Sequence, residues 1–127
     1  MAYIKYNPNP DYKSRVGDCA VRAVSKVFNT DWNTAYVKLC DMGLKMHDMP
    51  SSNNVIGALL TVHGFEKFSL PDLCPSCYSI KKFCKDYPEG VYVVGTGSHV
   101  VAVINGSYYD SWNSGDEVPI YAWELVI

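Results

Sequence analysis

Glutamine does not occur anywhere in this sequence. Runs of lysine or arginine are also missing and the formal net charge is −2, which argues against a nucleic-acid or anionic-membrane surface as the main business of the chain. No apolar stretch approaches the length of a membrane span, and the segment Met1–Pro8 lacks the apolar core of a secretion signal. Repeats, linkers and low-complexity segments are absent, so nothing divides the chain. Gly95-Thr96-Gly97 is too short for a phosphate loop, and no Lys-Ser/Thr pair follows it. The five cysteines are an odd number that a closed disulfide framework would not use up. Without a secretion signal, the expectation is reduced thiols and a cytoplasmic location.

What is present suffices for one domain. The chain has 127 residues, 48% of them apolar and 13% aromatic, so a single unit over residues 1–127 with a well-filled core is expected. An Asn- and Pro-rich arm comes first. Ala20, Val21, Val24, Val27 and Phe28 then recur at helical spacing, with Asp18 as the natural N-cap. A second helix starts near Thr30-Asp31, carries Trp32, Ala35, Tyr36, Leu39 and Cys40, and ends at Gly43. Ser51 or Ser52 caps a third, with Val55, Ile56, Leu59 and Leu60 as its stripe and Gly64 as its stop. A short strand near Glu66–Leu70 and a fourth helix from about Ser76 to Tyr87 follow. Beyond Pro88-Glu89-Gly90 the chain turns rich in Val, Ile and Tyr, and reads as strands over Val91–Gly95, His99–Ile104, Ser107–Trp112 and Val118–Ile127. Helices followed by an antiparallel meander make an α+β domain, with a helical lobe packed on a C-terminal sheet.

Position separates the cysteines. Cys40 and Cys84 lie on apolar helix stripes, where a thiol acts as a small hydrophobe. Cys19 opens a helix, where the positive end of the helix dipole favours the thiolate, the nucleophilic form. Asp18 opposes this if its carboxylate faces the sulfur. Farther along, Asn105-Gly106 is a strong two-residue hairpin signal. That turn sets Val101 opposite Asp110 and His99 opposite Trp112, and places all four side chains on one face. Asp110 is then the diagonal neighbour of His99, within reach of its imidazole N–H. A carboxylate there fixes the tautomer and orientation that a general base needs, and Trp112 can shield the bond from water.

Cys19 at the head of a helix, His99 on a strand and Asp110-Ser111-Trp112 on the next strand resemble the papain-like cysteine peptidase superfamily. In that family an Asn-Ser-Trp segment follows the histidine, and its tryptophan covers the histidine's hydrogen bond. Aspartate in the orienting role is shared with small bacterial and phage members, including bacteriocin-leader-processing and Josephin-type peptidases, and Gly97-Ser98-His99-Val100-Val101-Ala102-Val103 is similar to such members. The resemblance implies a thiol hydrolase cleaving a peptide or isopeptide bond of a peptide or protein substrate, with no cofactor. It also implies an oxyanion-hole glutamine upstream of the cysteine. Lys13 stands at the corresponding place, so Asn7 and Asn9 on the arm and the backbone N–H of Cys19 are the expected substitutes. Two alternatives use the same residue order: a transglutaminase-like acyltransferase, and a catalytically idle binding module.

Cys74-Pro75-Ser76-Cys77 has zinc-like or redox-like spacing but lacks a second ligand pair and a preceding strand, so no metal is expected. His47, in a Met-rich segment, and His63, at the close of the third helix, are read as structural.

Overall fold

Helical stripes in the first half and β-branched, aromatic runs in the second segregate the chain as their periods dictate. The computed structural model describes residues 2–71 and 76–126. Its elements are β1 (Ala2–Lys5), α1 (Cys19–Val27), α2 (Trp32–Met46), α3 (Asn53–Val62), β2 (Phe65–Ser69), α4 (Ile80–Asp86), β3 (Val91–Gly95), β4 (Val100–Ile104), β5 (Ser107–Asp110) and β6 (Tyr121–Leu125). The α+β class holds. None of these helices is long and apolar enough to cross a membrane.

The β4–β5 turn forms as its residue types require. Asn105 and Gly106 both take positive φ, 49° and 77°, the pair of left-handed conformations a two-residue hairpin needs. Ile104 pairs with Ser107, Val103 with Tyr108 and Ala102 with Tyr109, which is the expected register. The two strands stop short of their expected outer ends, so His99 lies just before β4 and Trp112 just after β5. Val101 joins the core on the α4 side, whereas Asp110 reaches Arg22 of α1. The single shared face expected for residues 99, 101, 110 and 112 is therefore replaced by a meeting at the strand ends.

The sheet order is β1-β5-β4-β3-β6-β2. The expectation of a purely antiparallel sheet is corrected at one edge. Residues of the arm form β1, which runs parallel to β5 and pairs Ala2 with Ser107 through Lys5 with Asp110. The outer edge of β5 has backbone groups to satisfy, and four residues without a hydrophobic period supply them. The helical layer is corrected as well. α1, α2 and α3 cover one face, where Val24, Leu39, Ile56 and Leu60 pack against Val93, Ala102 and Trp123. α4 covers the other, placing Ile80 and Phe83 on Tyr92, Val101 and Val103. The helices thus form two layers around the sheet.

Helix ends explain the remaining differences. Asp31 caps α2 through Thr34 N at 2.7 Å and Ser52 caps α3 through Val55 N at 3.1 Å. α4 starts later than expected because Ser79 is its cap, accepting from Lys82 N. Cys74 and Pro75 lie outside the described residues. α2 runs past Gly43 to Met46 and is ended by His47 in the left-handed conformation at φ 53°.

Gly43 serves packing rather than termination: a Cβ built there would stand 2.8 Å from the backbone oxygen of Asp48. Helix propensity favours alanine over glycine by about 1 kcal/mol, but overpacking costs about 1–3 kcal/mol. Gly43→Ala is expected to lower the urea unfolding midpoint; a raised midpoint would show that the 48–50 loop yields freely.

Candidate active site

Three local devices aim the candidate side chains. Asp18 N–H donates to Val16 O at 2.8 Å, and this turn delivers Cys19 as the first residue of α1. Ahead of β4, Thr96 N–H donates to His99 O at 2.8 Å while His99 N–H donates to Thr96 Oγ1 at 3.1 Å. Gly97, at φ 100°, makes this turn possible. At the end of β5, the chain bends at Ser111 and releases Asp110 toward the histidine.

The structure brings the three together. His99 Nε2 lies 2.7 Å from Asp110 Oδ2. The other ring nitrogen, Nδ1, is therefore the one left for the side-chain hydrogen bond between His99 and Cys19. The backbone N–H of Val100 also reaches the sulfur. Trp112 lies over the imidazole with ring centroids 5.3 Å apart and an interplanar angle of 34°. It covers one side of the histidine while remaining about half exposed itself.

Asp110 is wholly buried, and donors surround its carboxylate. Oδ2 accepts from Ser114 Oγ at 2.6 Å in addition to His99. Oδ1 accepts from Ser111 N at 2.8 Å and from Arg22 Nε at 3.1 Å, with Arg22 NH2 at 3.0 Å. Arg22 NH1 meets Asp18 Oδ1 at 2.6 Å, and Trp32 Nε1 donates to Asp18 Oδ2 at 2.9 Å. Asp18 thus occupies the N-cap position of α1 without capping it, because its carboxylate is drawn to the guanidinium and the indole. Sequence reasoning missed Arg22 and Ser114. Arg22 left one signal, its i, i+4 spacing from Asp18 on the polar side of α1; Ser114 left none.

Burial is the largest influence on the Cys19 thiol and works to raise it. The His99 hydrogen bond, the Val100 N–H and the charges of His99 and Arg22 together outweigh that, and the thiol sits below its ordinary value. Burial likewise disfavours the imidazolium, yet hydrogen bonds and charge from Asp110 and Cys19 lift His99 to about 9. Asp110 is desolvated too, and His99, Ser114 and Arg22 still hold it below the ordinary carboxylate value. These directions favour the thiolate–imidazolium pair over the neutral pair. Cys84, buried among apolar groups, is pushed up to about 11.

The cysteine and histidine open onto a cleft of about 460 Å³ whose walls include Ser14, Gly17, Asn53, Ser98 and Trp112. Asn7 and Asn9 are not among its lining residues. Asn7 donates to Lys13 O and accepts from Asn9 N, and the Asn9 side-chain oxygen accepts from Asp11 N, so these groups are engaged within the arm. Lys13 does not line the cleft either; its neighbour Ser14 does. A more apolar recess, walled by Val21, Trp32, Tyr36, Leu39, Met49 and Pro50, adjoins the cleft at Gly17, Asp18 and Ser51. His47 lies far along α2 as its C-cap. His63 closes α3, bonds Leu59 O at 3.0 Å and stacks on Phe28.

No family model matches the chain, and neither a curated protein nor a solved structure matches it.

Alkylation by iodoacetamide, mapped cysteine by cysteine, tests these electrostatics. Cys19 is expected to react fastest at pH 6–7, and His99→Ala is expected to slow it by about tenfold or more there as the thiol returns toward its ordinary value. Cys84 should stay inert throughout. Equal rates at Cys19 and Cys40 would refute the assignment.

Proposed function

We propose that this protein is a cysteine-dependent acyl hydrolase of the papain-like type, cleaving a peptide or isopeptide bond in a peptide or protein substrate. The observation that carries the proposal is the chain of contacts from Cys19 through His99 to Asp110, opening onto a cleft. Such a chain is what nucleophilic acyl transfer requires: a nucleophile, a base within hydrogen-bond reach, and a group that orients the base. The order of elements supports it too, with the cysteine heading α1 and the histidine and aspartate at neighbouring strand ends. A reactive thiol suits a reducing compartment, and the cytoplasm is the proposed location.

In the proposed reaction the Cys19 thiolate attacks the substrate carbonyl carbon, a C–S bond forms, and the carbonyl electron pair moves to oxygen. The tetrahedral intermediate collapses as the C–N bond breaks, and His99 Nδ1 gives its proton to the departing amine. Water then attacks the thioester while His99 takes its proton, which releases the acid and restores the thiolate–imidazolium pair. Asp110 stays ionised throughout and holds the ring. The first N–H groups of a helix have no intrahelical acceptor, so the Cys19 N–H is one donor for the oxyanion. In this reading the hydroxyl of Ser14, on the arm segment bordering the cleft, stands in for the missing glutamine. The adjoining apolar recess gives an extended substrate a place for an uncharged side chain.

A panel of fluorogenic peptide amides and isopeptide-linked peptides, assayed with the full chain, tests the reading. Turnover is expected to vanish in Cys19→Ser and to fall about 10²–10⁴-fold in Asp110→Ala with the circular dichroism unchanged. The rate should hold a plateau at neutral pH and decline as pH rises through about 9, where His99 loses the proton it must donate. Added amine that yields amide in place of acid would convert the assignment to an acyltransferase. Absence of any Cys19-dependent product, with an unreactive thiol, would leave a binding module.

A further inference from the structure

Arg22 is a buried charge that the proposed reaction never touches. It is 5% exposed, and its guanidinium spans two carboxylates: Nε and NH2 reach Asp110 Oδ1 at 3.1 and 3.0 Å, and NH1 reaches Asp18 Oδ1 at 2.6 Å. One of these carboxylates orients the histidine. The other belongs to the residue directly before the nucleophile. A single side chain one turn into α1 therefore ties the helix start that carries the sulfur to the strand end that carries Asp110.

The charge balance gives that tie a chemical consequence. From α1 the cluster receives Asp18, Cys19 and Arg22; from the turn before β4 it receives His99; from β5, Asp110. β1 contributes Tyr3, whose hydroxyl donates to Asp110 O and whose phenol is raised, chiefly by burial. α2 contributes only the neutral Trp32 indole, bonded to Asp18. In the reactive state three anions (Asp18, Cys19 and Asp110) face two cations, His99 and Arg22. Without the guanidinium, three anions would share one imidazolium. Asp110 Oδ1 would keep the Ser111 N–H but lose the forked guanidinium contact, and with it part of the constraint that turns Oδ2 toward His99.

We propose that Arg22 is a positioning residue for the thiol chemistry, holding Asp110 against His99 and cancelling the charge of Asp18 beside the nucleophile. This rests on the proposed function. The two effects are separable because Asp18 can be neutralised independently.

The test is the pH dependence of Cys19 alkylation by iodoacetamide, read by peptide mapping, together with the His99 ring-proton NMR titration. Arg22→Met is expected to move the Cys19 midpoint up by about one unit, which slows alkylation about tenfold on the acid limb. Asp18→Asn with Arg22→Met should recover most of that loss, because the carboxylate needing cancellation is gone. A purely structural role would make the double variant no better than the single one. Arg22→Lys keeps the charge but not the forked contact to Asp110, so it should restore the thiol midpoint while leaving the His99 midpoint below that of the wild type. If Arg22→Met fails to fold, Asp18→Asn alone decides: it should lower the Cys19 midpoint, and an unchanged midpoint overturns the inference, as do unchanged midpoints in both Arg22 variants. If wild-type Cys19 holds no reactivity advantage over Cys40 and Cys84, the failure lies with the proposed function itself.

Discussion

A carboxylate removed wholly from water is tolerated only when its charge is matched and its lone pairs are occupied. Asp110 meets that condition through four different residues, His99, Ser114, Ser111 and Arg22. Because these donors come from α1, the turn before β4 and the bend after β5, satisfying one carboxylate fixes three pieces of chain relative to one another. The hairpin, the helix that carries Cys19 and the Ser111–Ser114 loop meet here. A misplaced member would strand a buried charge, so the polar cluster specifies the geometry more sharply than the apolar cores on either side of it can.

The same cluster explains why one thiol differs from the others. Cys84 is buried among Ile80, Phe83 and Tyr92, and burial raises it. Cys19 is desolvated as well, but an imidazole, a backbone N–H and a guanidinium outweigh that. Desolvation with matched charge yields a nucleophile, whereas desolvation without it yields an inert packing group. The positive end of the α1 dipole also favours the thiolate, an effect that Asp18 would oppose were its carboxylate not occupied by Arg22 and Trp32.

The edges of the sheet show how local weakness is resolved globally. β1 and β2 carry little hydrophobic period, and each satisfies an edge that the more apolar central strands leave open. β1 also closes over the site's rear, where Tyr6 N–H and Tyr3 Oη both donate to Asp110 O. The arm, expected to supply an oxyanion donor through Asn7 and Asn9, instead anchors the backbone beneath the buried Asp110 carboxylate.

Local chemistry alone determined a good part of this protein. The Asn105-Gly106 turn dictated the β4–β5 register, because two residues tolerant of positive φ leave one compatible pairing, and that register brought Asp110 within reach of His99. The position of Cys19 at a helix start followed from the apolar period of α1, and the caps at Asp31 and Ser52 followed from side chains that accept backbone N–H bonds. Tertiary structure decided the rest. That β1 joins the sheet parallel to β5, that α4 packs on the opposite face, that Gly43 lies inside α2 and that Asp18 turns away from its helix all depend on partners distant in the chain. Arg22 and Ser114 belong to the same group: an arginine among alanines and valines, or a serine in a loop, acquires its meaning only when a buried carboxylate from another element arrives beside it. Periodicity and turn chemistry are properties of neighbours in sequence, whereas the matching of buried charge is a property of neighbours in space.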